Sequence, residues 1–187
     1  MSLKDKEKWN RKYSTSEHIT GKEPSSWLKD NAYFLNSYGK ALDIAGGEGR
    51  NSVFVASRGY ETTCLDFSEN GLKKALALAK EKKTTIMTEV TDLDDCSFRK
   101  NKYDLVLCFN FLDRKLFQEI KKTLKPDGMI FYETFNRDYL KYSSFKKEWV
   151  LDHNELLKEF GDLRILKYQE VDDDSKAFSS MIAKKKK

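Results

Sequence analysis

From residue 40 onward the sequence alternates between short apolar runs and helical patterns, and this alternation leaves few folds open to it. Residues 103–109 are apolar almost throughout, as in a strand that is buried on both faces. Residues 72–79 instead place apolar side chains at the i, i+3, i+4, i+7 spacing of a helix. Strands that alternate with helices predict right-handed β–α–β units and a mostly parallel sheet. The short gap between the last two apolar runs, 163–171 and 177–183, predicts an antiparallel hairpin.

We therefore predict an α/β fold: a Rossmann-like, doubly wound sheet of seven strands that is mostly parallel, with an antiparallel C-terminal strand and helices on both faces. The chain has only two prolines and no low-complexity linker, which favours a single domain over residues 1–187. Within it we distinguish a helical, aromatic-rich lead-in at residues 1–38 from a Rossmann-like core at residues 39–187.

Local signals predict three further boundaries in the core. Ser68 precedes the helical pattern of residues 72–79 and is expected to cap that helix at its N-terminus. The β-branched-rich stretch 84–90 predicts the third strand. The stretch Lys125–Gly128 contains proline, aspartate and glycine, and it predicts a turn before a fifth strand at residues 129–135.

Charge and cysteine content narrow the expected partners and compartment. The net charge is +5, and the run Lys184–Lys187 supplies four of the positive charges, so the rest of the chain has no general signature of nucleic-acid binding. Three cysteines without a CxxC spacing, together with two histidines, predict neither disulfides nor a metal site. The charged N-terminus and the strand-length apolar runs predict a cytoplasmic protein without a signal peptide or a membrane span.

A glycine-rich loop joins the first predicted strand to the first helix of the core. Gly46, Gly47 and Gly49 allow a tight turn and a close approach of the backbone to a ligand. Asp66 ends the second predicted strand and Asp92 follows the third. Acids at the carboxyl ends of parallel strands can accept hydrogen bonds from a ribose and from an adenine amino group. Taken singly, the glycine loop only weakly favours ligand binding over an ordinary tight turn, and each acid is more often a solvated loop end or a helix cap.

The same loop discriminates between nucleosides. A dinucleotide fingerprint, G-x-G-x-x-G, would need glycine at Ser52, or at both Ala45 and Arg50, and neither alignment fits. Asp43 at the start of the loop would repel a pyrophosphate, whereas it suits a ligand with an ammonium or sulfonium group. A cationic nucleoside is therefore favoured over NAD.

The stretch Asp43-x-Ala45-Gly46-Gly47-x-Gly49 resembles motif I of the class I S-adenosylmethionine-dependent methyltransferases. Asp66 matches the ribose-binding acid of that family, Asp92-Leu93 matches its adenine-side motif, and Lys125–Gly128 is similar to its turn before the fifth strand. Ala45 replaces the first glycine of the motif, and we expect an ordinary negative φ there.

The lead-in resembles that of one subgroup of this family. Lys8–Tyr13 and Gly21–Ser25 are similar to the lead-in of small methyltransferases of the tellurite-resistance kind. That resemblance implies that residues 1–38 fold over the cofactor, with Trp9 and Tyr13 flanking its sulfonium group, because aromatic faces stabilise such cations. The alternative is that these two rings only attach the first helix to the sheet.

The resemblance implies S-adenosylmethionine as cofactor and S-adenosylhomocysteine as product. It also implies a cofactor-binding set that is spread over the lead-in and the ends of the first four strands: Trp9, Tyr13, Asp43, Ala45, Gly46, Gly47, Gly49, Asp66, Phe67, Asp92, Leu93 and Asn110.

The acceptor is less constrained by the sequence. Asn110 begins the stretch after the fourth strand, but that stretch lacks the prolines of the enzymes that methylate amino groups of bases. Arg114 and Glu133 are the candidate catalytic residues, and no evident base accompanies them. We expect a small-molecule acceptor, with a soft oxyanion such as tellurite or selenite as one candidate. A protein or RNA acceptor held by the lysine tail, and a non-catalytic nucleoside-binding module, remain alternatives, and a monomer or homodimer is expected.

Overall fold

The computed structural model describes the backbone of residues 3–187 and the side chains of residues 7–94 and 96–187. It divides into two compact units, Met1–Ser97 and Phe98–Lys187, so the lead-in lies within the first unit. The helices of the described residues are α1 (Leu3–Lys12), α2 (Ser26–Asp30), α3 (Arg50–Ala56), α4 (Glu69–Glu81), α5 (Leu116–Thr123) and α6 (Glu155–Glu159). The strands are β1 (Gly39–Ile44), β2 (Tyr60–Asp66), β3 (Met87–Val90), β4 (Tyr103–Phe109), β5 (Leu124–Phe135), β6 (Arg164–Asp172) and β7 (Ala177–Lys184).

The first unit contains three parallel strands in the order β3-β2-β1. Helix α4 packs its small and branched side chains onto this sheet, and Leu72, Ala75 and Leu78 share one buried cluster with Cys64 of β2. The predicted cap is confirmed, because the Ser68 hydroxyl accepts a hydrogen bond from Gly71 N–H at 3.2 Å. The carboxyl ends of the strands are thereby brought next to the amino ends of the helices, where the acids of the predicted site lie.

The third strand is shorter than predicted, starting at Met87 rather than at Thr84. Lys83 has a left-handed φ of 54°, and the Thr84 N–H donates to the Ala79 carbonyl at 2.9 Å. The β-branched residues 84–86 therefore close the end of α4 before the chain extends, because the last carbonyls of a helix need donors.

The second unit contains β4 and β5 as parallel neighbours and β7 as an antiparallel neighbour of both β5 and β6. The predicted C-terminal hairpin is confirmed, and its turn lies at residues 173–176, directly after Asp172 ends β6. Strand β4 is buried along almost its whole length, as its apolar character predicts. Seven strands, with antiparallel pairing confined to those made by β7, confirm the predicted fold class.

The predicted turn at residues 125–128 is part of strand β5 instead of preceding it. Tyr103 pairs with Leu124 and Leu105 pairs with Met129, so the intervening residues of β5 form a bulge against β4. Asp127 lies in this bulge with a left-handed φ of 64°, and its N–H donates to the Lys185 carbonyl at 3.1 Å. The bulge is thus held by the C-terminal end of the chain, which the local sequence does not indicate.

The lysine tail is largely built into the second unit. Lys184 ends β7 and pairs with Asp127 at 3.0 Å. The Lys185 ammonium donates to the carbonyls of Lys121 and Leu124 at 2.8 and 2.7 Å, at the end of α5, where a positive charge is favourable. Burial lowers the pKa of Lys185. Within this tail only Lys186 and Lys187 are exposed, which weakens the case for a polycation that captures acidic partners.

No helix within residues 3–187 combines the length and the apolar character needed to cross a bilayer. Across the described side chains, no group of three or more His, Cys, Asp or Glu residues is arranged so that it could hold a metal ion.

We predict that Lys185→Met lowers the free energy of unfolding by about 1–3 kcal/mol, the usual contribution of hydrogen bonds from a charged donor. The end of α5 would lose the donor to its last carbonyls. Urea denaturation of this variant beside Lys186→Met, whose side chain is exposed, measures the difference. Equal unfolding midpoints for the two variants would contradict a capping role for Lys185.

Candidate cofactor site

The glycine loop, residues 45–49, joins β1 to α3 and has positive φ at three positions. These are Ala45 at 54°, Gly47 at 55° and Gly49 at 78°. The expectation of an ordinary φ at Ala45 is therefore wrong: the alanine adopts the left-handed conformation that the glycine of the motif would adopt. The left-handed region costs a residue with a Cβ roughly 1–2 kcal/mol, so the surrounding contacts hold Ala45 there.

All three glycines of the loop have close neighbours, and a Cβ added to Gly49 would lie 2.4 Å from the Ala75 Cβ. A Cβ added to Gly46 would lie 2.5 Å from Cys64 Sγ and 3.0 Å from Asp43 Oδ2. A Cβ on Gly47 would lie 2.7 Å from the Tyr13 hydroxyl and 3.9 Å from an Asp66 carboxylate oxygen. The loop is thus pressed against β2 on one side and overlaid by the lead-in on the other.

Asp66, at the end of β2, ties the loop to α4. Its buried carboxylate accepts hydrogen bonds from the N–H groups of Gly47 and Ser68, each at 2.8 Å. Burial raises the pKa of Asp66, while these hydrogen bonds oppose the rise. Each carboxylate oxygen has a further lone pair, so the group can also accept from the hydroxyls of a ribose. The residues present therefore fit a nucleoside at this position.

Asp43 is enclosed rather than open to a ligand. Its side chain is 1% exposed, and its Oδ2 accepts a hydrogen bond from the Ser52 hydroxyl at 2.6 Å. Burial raises the pKa of Asp43 to about 7, with the negative charge of Asp66 as a smaller cause and the Ser52 hydrogen bond in opposition. Near neutral pH the group is therefore only partly charged, and its role beside a sulfonium stays a prediction.

The lead-in places Tyr13 at the loop and Trp9 one helical turn away. Tyr13 is buried, and its ring stacks on Trp9 with 5.5 Å between centroids. Burial, followed by the nearby charges of Asp66 and Glu48, raises the pKa of Tyr13. The Lys12 ammonium lies 4.4 Å from the centroid of the Trp9 ring, so a cation already meets that aromatic face. Tyr13 is thus better placed than Trp9 to meet a ligand on the loop.

The residues expected on the adenine side differ in exposure. Asp92 is exposed, and its carboxylate accepts from Asp94 N–H at 3.1 Å, capping a short 3₁₀ helix that begins at Leu93. Leu93 and Phe67 are buried and contribute apolar surface. A cap is one of the two roles that the sequence allows for Asp92, and binding to adenine remains a prediction.

Glu48, the variable position between Gly47 and Gly49, is a residue that the motif does not single out. It is 1% exposed, and its carboxylate accepts hydrogen bonds from the lead-in and from α4. Its partners are 26 to 29 positions away in sequence, so no local pattern points to it. The sequence gives one indication that Glu48 has a role, since it is an acid in a loop whose other residues are small or buried.

In the second unit, Asn110 follows β4 with a left-handed φ of 55° and an exposed side chain. Its N–H donates to the carbonyl of Glu133 at 2.8 Å, so the two candidates lie on neighbouring strand ends. The Glu133 carboxylate accepts from the Ser180 hydroxyl of β7 at 2.7 Å. Glu133 is thus a fixed hydrogen-bond acceptor on the β5–β7 pair.

Arg114 is engaged within the same unit. It donates to both carboxylate oxygens of Glu155, at 2.6 and 2.9 Å, and this pair raises the pKa of Arg114. It also donates to the carbonyls of Glu148 and Val150 at 3.0 and 2.9 Å. These four bonds occupy four of the five donors of a guanidinium, which leaves little capacity for an anionic acceptor.

Two polar residues on and directly after β5 are internal to the second unit. Tyr132 is 1% exposed and its hydroxyl donates to the Phe111 carbonyl at 3.1 Å. Asn136 is fully buried, and its side-chain oxygen accepts from Asp138 N–H at 3.1 Å. Their polar oxygens therefore organise the backbone beyond β4 and β5.

Comparison with known proteins agrees with this geometry. Residues 41–128 match a family model described as a methyltransferase domain. A probable S-adenosyl-L-methionine-dependent methyltransferase TehB of Haemophilus influenzae is 28% identical over 172 residues, covering 79% of this chain and 57% of that protein. A ubiquinone biosynthesis O-methyltransferase of Actinobacillus pleuropneumoniae is 30% identical over 113 residues, covering 55% of this chain and 48% of that protein. The chain thus spans about half the length of the curated relatives that it matches.

The fold is shared with solved structures. The crystal structure of TehB from Haemophilus influenzae matches with a TM-score of 0.71 and 23% identity, covering 97% of this chain and 67% of that chain. This likeness shows a shared fold, and residues 41–128 are the part of that fold that is similar to a methyltransferase domain. The chain is thus similar to TehB, as the lead-in motifs predict.

We predict that Ala45→Gly raises the free energy of unfolding by up to about 1 kcal/mol, because glycine removes the penalty of the left-handed φ. Ala45→Val should lower it, since a β-branched side chain is worse there. Thermal unfolding of the two variants tests the pair. Lys83→Gly is a control that relieves the same penalty away from the loop, since Lys83 is the other non-glycine residue with a left-handed φ in the described part of this unit.

We predict that Asp43 makes stability fall as pH rises from about 4 to about 7. Its folded pKa of about 7 lies above the ordinary value of 3.8, so in this window the folded protein holds a proton that the unfolded chain has lost. Urea unfolding at several pH values should show a growing advantage of Asp43→Asn over the natural protein, levelling off above pH 7. A constant difference between the two proteins would mean that the pKa of Asp43 is not raised.

Proposed function

We propose that the protein transfers a methyl group from S-adenosylmethionine to a small-molecule acceptor. The observation that carries the proposal is the pairing of the Asp66 carboxylate with Gly47 N–H, at the end of β2, in a loop with left-handed backbone. This arrangement combines a ribose acceptor with a backbone that a ligand can approach closely. A methyltransferase domain model matches the same residues.

When bound, S-adenosylmethionine supplies an electrophilic methyl group on sulfur. The chain's own contribution is to hold the nucleoside and to exclude water. Asp66 would accept from the ribose hydroxyls, and Leu93 and Phe67 offer buried apolar surface to the base. Tyr13 would enclose the ligand on the loop. Much of the rate of such a displacement can come from alignment alone, so this set needs no dedicated base for a soft nucleophile.

The acceptor is proposed to be a small molecule with a planar, apolar part. In the second unit, five rings form an aromatic cluster, one at the end of β5, three in the residues that follow it and one on β7: Phe135, Tyr139, Phe145, Trp149 and Phe178. Phe145 and Trp149 remain 39% and 47% exposed, so two rings offer faces or edges to a partner. Aromatic pairs contribute about 0.5–1.5 kcal/mol beyond the area that they bury. A relative named as a ubiquinone biosynthesis O-methyltransferase is consistent with an organic acceptor.

A soft oxyanion such as tellurite or selenite is the second candidate acceptor. It is supported by the resemblance to TehB and by the absence of an evident base. Against it, Arg114 donates to Glu155, Glu148 and Val150 instead of to an anion. A protein or RNA acceptor is less favoured, since Lys184 and Lys185 are held within the second unit.

Isothermal titration with S-adenosylmethionine, S-adenosylhomocysteine and NAD tests the cofactor. We expect heat from the two sulfur nucleosides and none from NAD. Binding of NAD alone, or of none of the three at about millimolar concentration, would reject the methyltransferase proposal.

Incubation with methyl-labelled S-adenosylmethionine then separates the acceptors. Planar phenols and thiols should gain label, whereas tellurite and selenite would give volatile methylated products in the headspace. Cofactor binding without transfer to any acceptor class would favour the non-catalytic nucleoside-binding module.

A further inference from the structure

Glu48 is a buried carboxylate whose hydrogen bonds reach out of its own loop. Its Oε1 accepts from the Ile19 N–H at 3.2 Å and from the Lys74 ammonium at 2.8 Å. Its Oε2 accepts from the Thr20 N–H at 3.0 Å and from the Thr20 hydroxyl at 2.9 Å. One side chain of the glycine loop therefore meets the lead-in at two successive residues and α4 at a third.

The same stretch of the lead-in is held from two other directions. The Lys74 ammonium, besides pairing with Glu48, donates to the Glu17 carbonyl at 2.6 Å. Arg50, at the start of α3, donates to the Thr20 carbonyl at 2.9 Å. Residues 17–20 are thus fixed by charged side chains from the loop, α3 and α4, rather than by apolar packing.

Residues 17–20 and the charge of Glu48 stabilise each other. Burial favours the neutral carboxyl, but the hydrogen bonds from Lys74, Thr20 and Ile19 outweigh burial and hold the pKa of Glu48 below its ordinary value. A buried charge is tolerated only when it is paired and hydrogen-bonded. Opening residues 17–20 would remove most of the partners of Glu48, so the closed arrangement is the one that the charge stabilises.

The fixed stretch begins four residues after Tyr13 in the chain. The Tyr13 hydroxyl is close to the space that a Cβ on Gly47 would fill, at 2.7 Å, and Gly47 is the neighbour of Glu48. The Tyr13 ring also lies 3.2 Å from where a Cβ on Gly71 would be, so it sits between the loop and α4. Holding residues 17–20 therefore also holds Tyr13 over the loop.

We propose that Glu48 is a positioning residue that fixes residues 13–20 across the glycine loop and thereby sets the affinity for the cofactor. The proposal rests on the proposed function, since it names a determinant of the same cofactor site. Glu48 itself does not need to touch the cofactor, because its carboxylate is directed to the lead-in and α4.

The expected loss of cofactor affinity follows from the fraction of molecules in which the lead-in is closed. A ligand that binds only the closed lead-in has an apparent dissociation constant equal to the intrinsic one divided by the closed fraction. If loss of the Glu48 charge lowers that fraction to roughly one tenth, affinity for both S-adenosylmethionine and S-adenosylhomocysteine falls about tenfold. The KM for the cofactor rises while kcat at saturating cofactor stays close to that of the natural protein, a split that general destabilisation would not produce.

The test compares Glu48→Gln with Lys22→Ala. Glu48→Gln keeps the size of the side chain but removes the charge. Lys22→Ala breaks the Lys22–Glu81 pair, which also joins the lead-in to α4 but is 46% and 50% exposed. Titration with S-adenosylhomocysteine should give about tenfold weaker binding for Glu48→Gln and a change of less than about twofold for the control, since exposed pairs contribute little.

Limited proteolysis gives a readout that is independent of activity. Trypsin should cut the lead-in of Glu48→Gln at Arg11 or Lys12, both exposed, faster than it cuts the natural protein, and S-adenosylhomocysteine should slow the cut. Unchanged affinity and unchanged cutting in a folded Glu48→Gln variant would overturn the proposal.

Two outcomes distinguish a failure of this proposal from a failure of the proposed function on which it rests. If the natural protein binds no S-adenosylhomocysteine, the proposed function fails. If the natural protein binds it and Glu48→Gln does not fold, Thr20→Val decides, because it removes only the hydroxyl bond to Glu48. We expect Thr20→Val to bind a few-fold more weakly than the natural protein, and equal binding would reject the role of Glu48.

Discussion

The carboxylate of Asp66 joins three elements of the first unit at one point. It accepts hydrogen bonds from Gly47 in the glycine loop and from Ser68 at the start of α4, and it belongs to β2. A buried carboxylate is stable there only with such donors, so the loop and the helix start are fixed together. The site for a nucleoside therefore arises from the way the fold satisfies one acid, and the same acid has lone pairs left for a ligand.

Two further carboxyls lie near that acid, and they have different hydrogen-bond partners. Asp43 and Ser52 pair on the enclosed side of the loop, where the charge of the carboxyl is partly lost near neutral pH. Glu48 keeps its charge, because Lys74 and the lead-in surround it. Burial thus tends to neutralise the Asp43 carboxyl in β1, whereas hydrogen bonds keep Glu48 in the loop ionised, and the difference follows from the donors available to each.

The sequence predicts much of this arrangement, because its signals are local. The strand-to-helix alternation, the cap at Ser68 and the glycines of the loop all depend on neighbours within a few positions. The left-handed φ of Ala45 could not be predicted, since a non-glycine residue adopts it only when the surrounding packing requires it. Glu48 was not identified for a similar reason: its partners come from a distant part of the chain. The sequence offers the lysine tail as a segment that could hold a protein or RNA acceptor, whereas in the structure Lys185 caps α5.

The strand order of the second unit has a consequence for how the unit is made. Strand β7 lies between β5 and β6, although it follows both in the chain. During synthesis from the N-terminus, β6 must therefore wait without the partner that it has in the folded unit, with its backbone groups open to other chains. The second unit can close only when residues 177–184 have left the ribosome, so it is most open to misassembly in the interval between the synthesis of β6 and that of β7.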